Sequence, residues 1–218
     1  ADYIPSTEKN IKEMWGKFTS YIQTIKDPHI KELMERIMLK NGFVVKEFPI
    51  HSAAKSVHHG YLGGLLEHSL SVTEICDFMA DKYKFVNRDI LVASAMLHDV
   101  GKLWELSDFP LNDYTVDGQL LGHIYIGAEL IEKTASSIDG FPDRLKTLIK
   151  HCVLSHHGEY EYGSPVLPKT IEAHILHCAD DMDAKSKVFE EFISADSTSG
   201  PWAGYQKMLA RNIRKSEY

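Results

Sequence analysis

Apolar residues recur at three- and four-residue steps along most of the chain. Near the N-terminus they fall at Ile11, Met14, Trp15, Phe18, Ile22 and Ile25, one face of an amphipathic helix over residues 7–25. Asp27-Pro28 predicts the start of a second helix, with Asp as cap and Pro in the first turn. It runs through Ile30, Leu33, Met34, Ile37 and Met38, and Asn41-Gly42 predicts its end. Residues 43–57, broken by Pro49, read as irregular. Helices are expected over 65–83 and from Asn87 to about Leu97, with 107–118 a loop of some extended character. Further helices are expected over 120–136, 142–155 and 169–192. After a polar break at 194–200, residues 202–214 read as a short terminal helix with a basic end. Neither strand alternation nor an internal repeat stands out. The pattern predicts one compact all-α domain: a helical lead-in over 1–50, the main helical body over 51–194 and a C-terminal segment over 195–218.

Composition narrows the class. The 218 residues are enough for a substantial core. No apolar run reaches the length of a membrane span, so no membrane partner is expected. Ala1-Asp2-Tyr3-Ile4-Pro5 has neither the basic nor the apolar stretch of a signal peptide, and there is no initiator Met. Cys76, Cys152 and Cys178 form no CxxC pair and read as reduced core thiols, which points to a cytoplasmic setting. A net charge of −7 argues against a basic nucleic-acid platform. It does not argue against an enzyme acting on nucleic acid, because bound cations invert the local field. The oligomeric state is left open.

The chain has twelve histidines, and they cluster. His68, His98-Asp99, His123, His156-His157 and Asp180 each lie on, or at the end of, a different expected helix. A helical bundle builds a metal site in this way, each facing helix projecting a ligand inward. Imidazole and carboxylate together suit divalent transition metals. A carboxylate has two oxygens and can bridge two ions, and two bridged ions suit phosphoryl transfer. The plain alternative at each position is a hydrogen-bonded core residue.

The order of these residues resembles the HD superfamily of metal-dependent phosphohydrolases, over roughly residues 54–185, and His98-Asp99-Val100-Gly101-Lys102 matches its HD-x-GK signature. Four segments are similar to the HD domain of bacterial 3′→5′ exoribonucleases of the YhaM type. They are Ala53-Ala54-Lys55-Ser56-Val57-His58-His59, Gly118-Gln119-Leu120-Leu121-Gly122-His123-Ile124, Leu154-Ser155-His156-His157-Gly158-Glu159 and Asp183-Ala184-Lys185. That type usually carries an OB-type domain ahead of the HD domain, which these residues do not include.

The resemblance implies an HD-domain helical bundle. It implies a first metal on His68, His98, Asp99 and Asp180, and a second on Asp99 as bridge, His123 and His156. His157 is open between the second metal, a third metal and a substrate phosphate. Asp99, Lys102 and His157 make up the implied catalytic set, with Lys102 neutralising the scissile phosphate; a solvated lysine after a helix end is the alternative. His58 and His59 precede the helix bearing His68 and are expected either to touch substrate phosphates or to occupy a plain turn. The implied cofactors are two divalent ions, manganese or cobalt before iron, zinc or magnesium. Tyr160 and Tyr162 read as loop packing before base stacking.

The expected function is a metal-dependent phosphodiesterase, a 3′→5′ exonuclease on single-stranded RNA or DNA. The alternatives are an HD hydrolase of nucleotides or other small phosphoesters, a di-iron oxygenase of HD fold, and a metal-stabilised interaction module.

Overall fold

The computed structural model describes residues 5–55 and 60–216. Among them the chain forms helices α1 (Ile11–Thr24), α2 (Pro28–Glu35), α3 (Gly42–Glu47), α4 (Gly64–Ala80), α5 (Arg88–Leu97), α6 (Lys102–Glu105), α7 (Val116–Ser136), α8 (Asp143–Ser155) and α9 (Ile171–Ser194). Two strands follow, β1 (Trp202–Gln206) and β2 (Arg211–Arg214). Most helix starts are written in the sequence as side-chain caps. Asn10, Asp27, Asn87, Thr115 and Thr170 each accept a hydrogen bond from a backbone N–H of the first turn.

α5 is the central rod. Every residue from Ile90 to Leu97 is buried, as expected of a helix that is apolar all round. It packs against α4, α8 and α9, with α1 and α2 closing the remaining sides. Met14, Phe18, Ile22, Ile30, Leu33 and Met34 of the lead-in join the same core as Leu65, Leu91, Ile149 and Leu176. Phe18 stacks on Phe48 at 5.4 Å between ring centroids. The all-α expectation therefore holds for the body of the molecule, and no described helix is long and apolar enough to cross a membrane.

Three expectations are corrected. Residues 202–214 form an antiparallel β-hairpin, not a helix; Leu209 and Ile213 pack on Val188 of α9 in a small satellite core. Asn41-Gly42 opens a helix as well as closing one. The Asn41 side chain accepts from Phe43 N and Val44 N and starts α3, after α2 has ended in a π-helical turn at Arg36–Lys40. Of the three free cysteines, Cys76 and Cys152 are buried, but Cys178 lies exposed on α9.

Candidate metal centre

Two of the candidate ligands sit where helices stop. His98 follows the last residue of α5 and His156 the last of α8. The final carbonyls of a helix lack intrahelical donors. His98 Nδ1 meets Ala95 O at 2.8 Å, and His156 Nδ1 meets Val153 O at 2.6 Å. A carbonyl only accepts, so Nδ1 carries the proton and Nε2 presents its lone pair to the interior. His157 is set in the same way, its Nδ1 donating to Tyr162 O at 2.7 Å. His68 and His123 use carboxylates instead. Their Nδ1 atoms lie 2.7 Å from Asp183 Oδ2 and 2.9 Å from Glu105 Oε1. Buttressing of this kind orients a metal-binding imidazole and raises its basicity.

The five Nε2 atoms converge with two aspartates into two clusters. His68, His98 and Asp180 form one; His123, His156 and His157 form the other; within each, one ligand atom per residue lies within 4.8 Å of the others. Asp99 stands between them. Its Oδ2 lies 3.6 Å from His68 Nε2 and 3.3 Å from His98 Nε2. Its Oδ1 lies 3.5 Å from His123 Nε2 and 3.8 Å from His156 Nε2. In the first cluster His68 Nε2 is 3.1 Å from Asp180 Oδ1 and 3.3 Å from His98 Nε2.

Asp99 Oδ1, His123 Nε2 and His156 Nε2 are buried and have no hydrogen-bond partner. Buried polar atoms are nearly always paired, and three orphans facing one point call for a cation. The donor set of imidazole and carboxylate fits a divalent transition metal.

The backbone is shaped to bring the clusters together. A Cβ at Gly101 would lie 2.0 Å from His123 O and 2.8 Å from Gly127 N, so only glycine lets the turn after Asp99 touch α7. Within α7, Gly122 takes φ 72 and ψ 153, a conformation open to glycine that breaks the helix just before His123. Glu105 spans the break, accepting from His123 N at 3.0 Å as well as from the ring.

Charge is concentrated here. Burial opposes ionisation of Asp99, but Lys102 and His98 hold its carboxyl well below the usual range. Lys102 Nζ meets Asp99 Oδ2 at 2.6 Å; burial pulls its pKa down, and the Asp99 charge more than restores it. Burial also works against a charged His68, yet hydrogen bonds to Asp180 and Asp183 and the Asp99 charge push it up to about 10. His156 goes the other way, held well below its ordinary value by burial and by its neighbours His157 and His98. It stays neutral.

The structure thus brings together His68, His98, Asp99, His123, His156, His157 and Asp180, and puts Lys102 in the wall of the cleft above them. Lys102 is not a solvated lysine, since its side chain is only 17% exposed. His58 and His59 lie outside the described residues. His51 is buried. Tyr160 and Tyr162, read as packing, are both exposed, and Tyr162 lines the cleft. His177 donates from Nδ1 to His156 O at 2.9 Å and also lines it. Sequence reasoning missed Asp183 and Glu105 as partners of the ligands. The signal for Asp183 was its place one helical turn after Asp180; Glu105, three residues past Lys102, gave none.

The sequence profile of the HD domain matches residues 65–185, more than half of the chain and the span that holds every cluster residue. The chain belongs to the HD-domain family. Membership implies divalent-metal binding, in keeping with the two donor clusters. Among curated proteins this HD domain is similar to the 3′-5′ exoribonuclease YhaM of Bacillus licheniformis, 37% identical over 189 residues, 87% of this chain and 59% of that protein. The proteins of the same name from Geobacillus sp. and Bacillus subtilis are 36% and 35% identical, over 87% of this chain and 57% and 59% of theirs. The chain therefore spans less than two thirds of the length of these relatives. No solved structure matches it.

Proposed function

We propose that this HD domain is a metal-dependent phosphodiesterase that trims single-stranded nucleic acid from its 3′ end. The observation that carries the reading is Asp99, whose two oxygens address different clusters, Oδ2 toward His68 and His98 and Oδ1 toward His123 and His156. That supports two divalent ions. His68, His98, Asp99 and Asp180 would hold one; Asp99, His123 and His156 would hold the other, with His157 beside them. Manganese or cobalt suits this mixture of imidazole and carboxylate. When bound, such a pair polarises a phosphoryl oxygen and supplies an activated water.

The chain's own groups do the rest. The backbone and carboxylate partners of the five imidazoles hold each Nε2 lone pair inward. Lys102, kept charged by Asp99, offers a buried point charge to a phosphate entering the cleft. Direction and polymer class draw on the relatives, which are named 3′-5′ exoribonucleases. A second reading, hydrolysis of nucleotides or other small phosphoesters, is favoured by the modest cleft of about 370 Å³ and the net charge of −7.

The deciding experiment presents 5′-labelled linear single strands and internally labelled circular single strands, of RNA and of DNA, with manganese or cobalt. The proposal expects stepwise shortening of linear strands, release of mononucleotides and inert circles. Cleavage of circles refutes the 3′-end direction, and turnover confined to free nucleotides moves the assignment to the second reading.

A further inference from the structure

Tyr162 and Asp181 line the cleft wall outside both clusters. Tyr162 ends a short 3-10 turn, Tyr160–Tyr162, and Gly163 at φ +83 turns the chain away after it. Its carbonyl accepts the 2.7 Å hydrogen bond from His157 Nδ1, so the turn is pinned to an imidazole of the second cluster. The side chain is 62% exposed and has no ring partner among the described residues. An exposed ring on a pinned turn beside a phosphate-processing cleft offers a flat face to a nucleobase, and such stacking tolerates every base.

Asp181 follows Asp180 on α9. Its Oδ2 accepts from Lys185 Nζ at 2.8 Å, and its Oδ1 has no protein partner among the described residues. A carboxylate lining such a cleft repels phosphate. A strand that continued past the scissile bond would bring another phosphate there, whereas a strand that ended would bring only sugar hydroxyls, which donate. Ala53 and Ala184 keep the surrounding wall small. At about 370 Å³ the cleft is near the lower end of ligand pockets, which run from roughly 300 to 1,000 Å³, and suits one nucleotide rather than a length of strand.

We propose that Tyr162 and Asp181 form a subsite for the terminal nucleoside, the ring stacking on its base and the carboxylate accepting from its sugar hydroxyl while repelling a 3′-phosphate. The proposal rests on the nuclease reading above and names how that site recognises a strand end.

The test measures kcat and KM in manganese on 5′-labelled single strands ending in a 3′-hydroxyl or a 3′-phosphate, alongside the fluorescence of a terminal 2-aminopurine. The wild type is expected to prefer the hydroxyl end by about ten- to a hundredfold, the range for a hydrogen bond to a charged group. Asp181→Asn, with metal content equal to wild type, is expected to bring the two ends close to parity. Tyr162→Ala is expected to raise KM about five- to a hundredfold, to change kcat much less, and to abolish the quenching of 2-aminopurine, while Tyr162→Phe keeps it. A wild type active on strands, but with the end preference unchanged in Asp181→Asn or quenching intact in Tyr162→Ala, overturns the subsite alone. A wild type inert on every strand overturns the nuclease reading and the subsite with it.

Discussion

Replacing Gly101 by alanine tests whether the centre depends on the approach of two backbones. The added Cβ would sit 2.0 Å from His123 O, 2.8 Å from His123 C and 2.8 Å from Gly127 N. All three are main-chain atoms, so no side chain can swing aside. The turn after Asp99 and the second half of α7 must part until 2.0 Å becomes at least 3.0 Å. Overpacking costs roughly 1–3 kcal/mol, and with backbone on both sides the upper end applies. For a chain of this size about 3 kcal/mol lowers Tm by roughly 6–12 °C. The same parting stretches the 3.5 Å separation of Asp99 Oδ1 and His123 Nε2, the two atoms proposed to share the second ion. A displacement near 1 Å at a reacting centre costs about a hundredfold in rate. Calorimetry with elemental analysis should find a lowered Tm and one metal in place of two. Gly16→Ala serves as the control, since nothing lies within 4 Å of its Cβ; it should be neutral or stabilising by up to about 1 kcal/mol. If Gly101→Ala melts within about 1 °C of wild type and keeps both metals, the reasoning fails.

Four further outcomes are expected. Asp99→Ala should lose metal and all hydrolysis while keeping its helical circular dichroism; full activity in the purified variant would sink the bridging role. His123→Ala should bind one manganese per chain where wild type binds two, as measured by elemental analysis. Glu105→Ala should weaken the second ion about 10- to 100-fold in chelator competition, with the first unaffected, because it frees the His123 ring that Glu105 holds at 2.9 Å. Metal at about a hundred times its Kd should stabilise the fold by about 2.7 kcal/mol, and a chelator should reverse the rise in Tm.

The elements that bury a face were legible, and those that do not were hidden. α5 and the first half of α4 announce themselves as apolar runs, and each carries or ends on a ligand. The hairpin buries only Ile213 from its two strands, so no period-two signal reaches the sequence. Asn41 misled because the same side chain that favours a helix end also caps a helix start. The residues of the two donor clusters were legible because their types and order are unusual. Their partners were not, because Ala95, Val153 and Tyr162 contribute carbonyls, which any residue would supply equally.

Each cluster contains one imidazole held by a carboxylate and one held by a helix-end carbonyl: His68 on Asp183 with His98 on Ala95 O, and His123 on Glu105 with His156 on Val153 O. The carbonyl-held rings are immune to side-chain replacement; no substitution at 95 or 153 removes the acceptor. The carboxylate-held rings are adjustable, one per cluster and by different helices. Changing residue 183 alters the electron-donating power of the His68 ring in the first cluster, and changing residue 105 does so for the His123 ring in the second, with every inward-facing donor atom left in the sequence. With an ion in each cluster, as proposed above, the two would have separate dials, and the relative hold on the two ions would drift over generations without disturbing the motif by which the family is recognised.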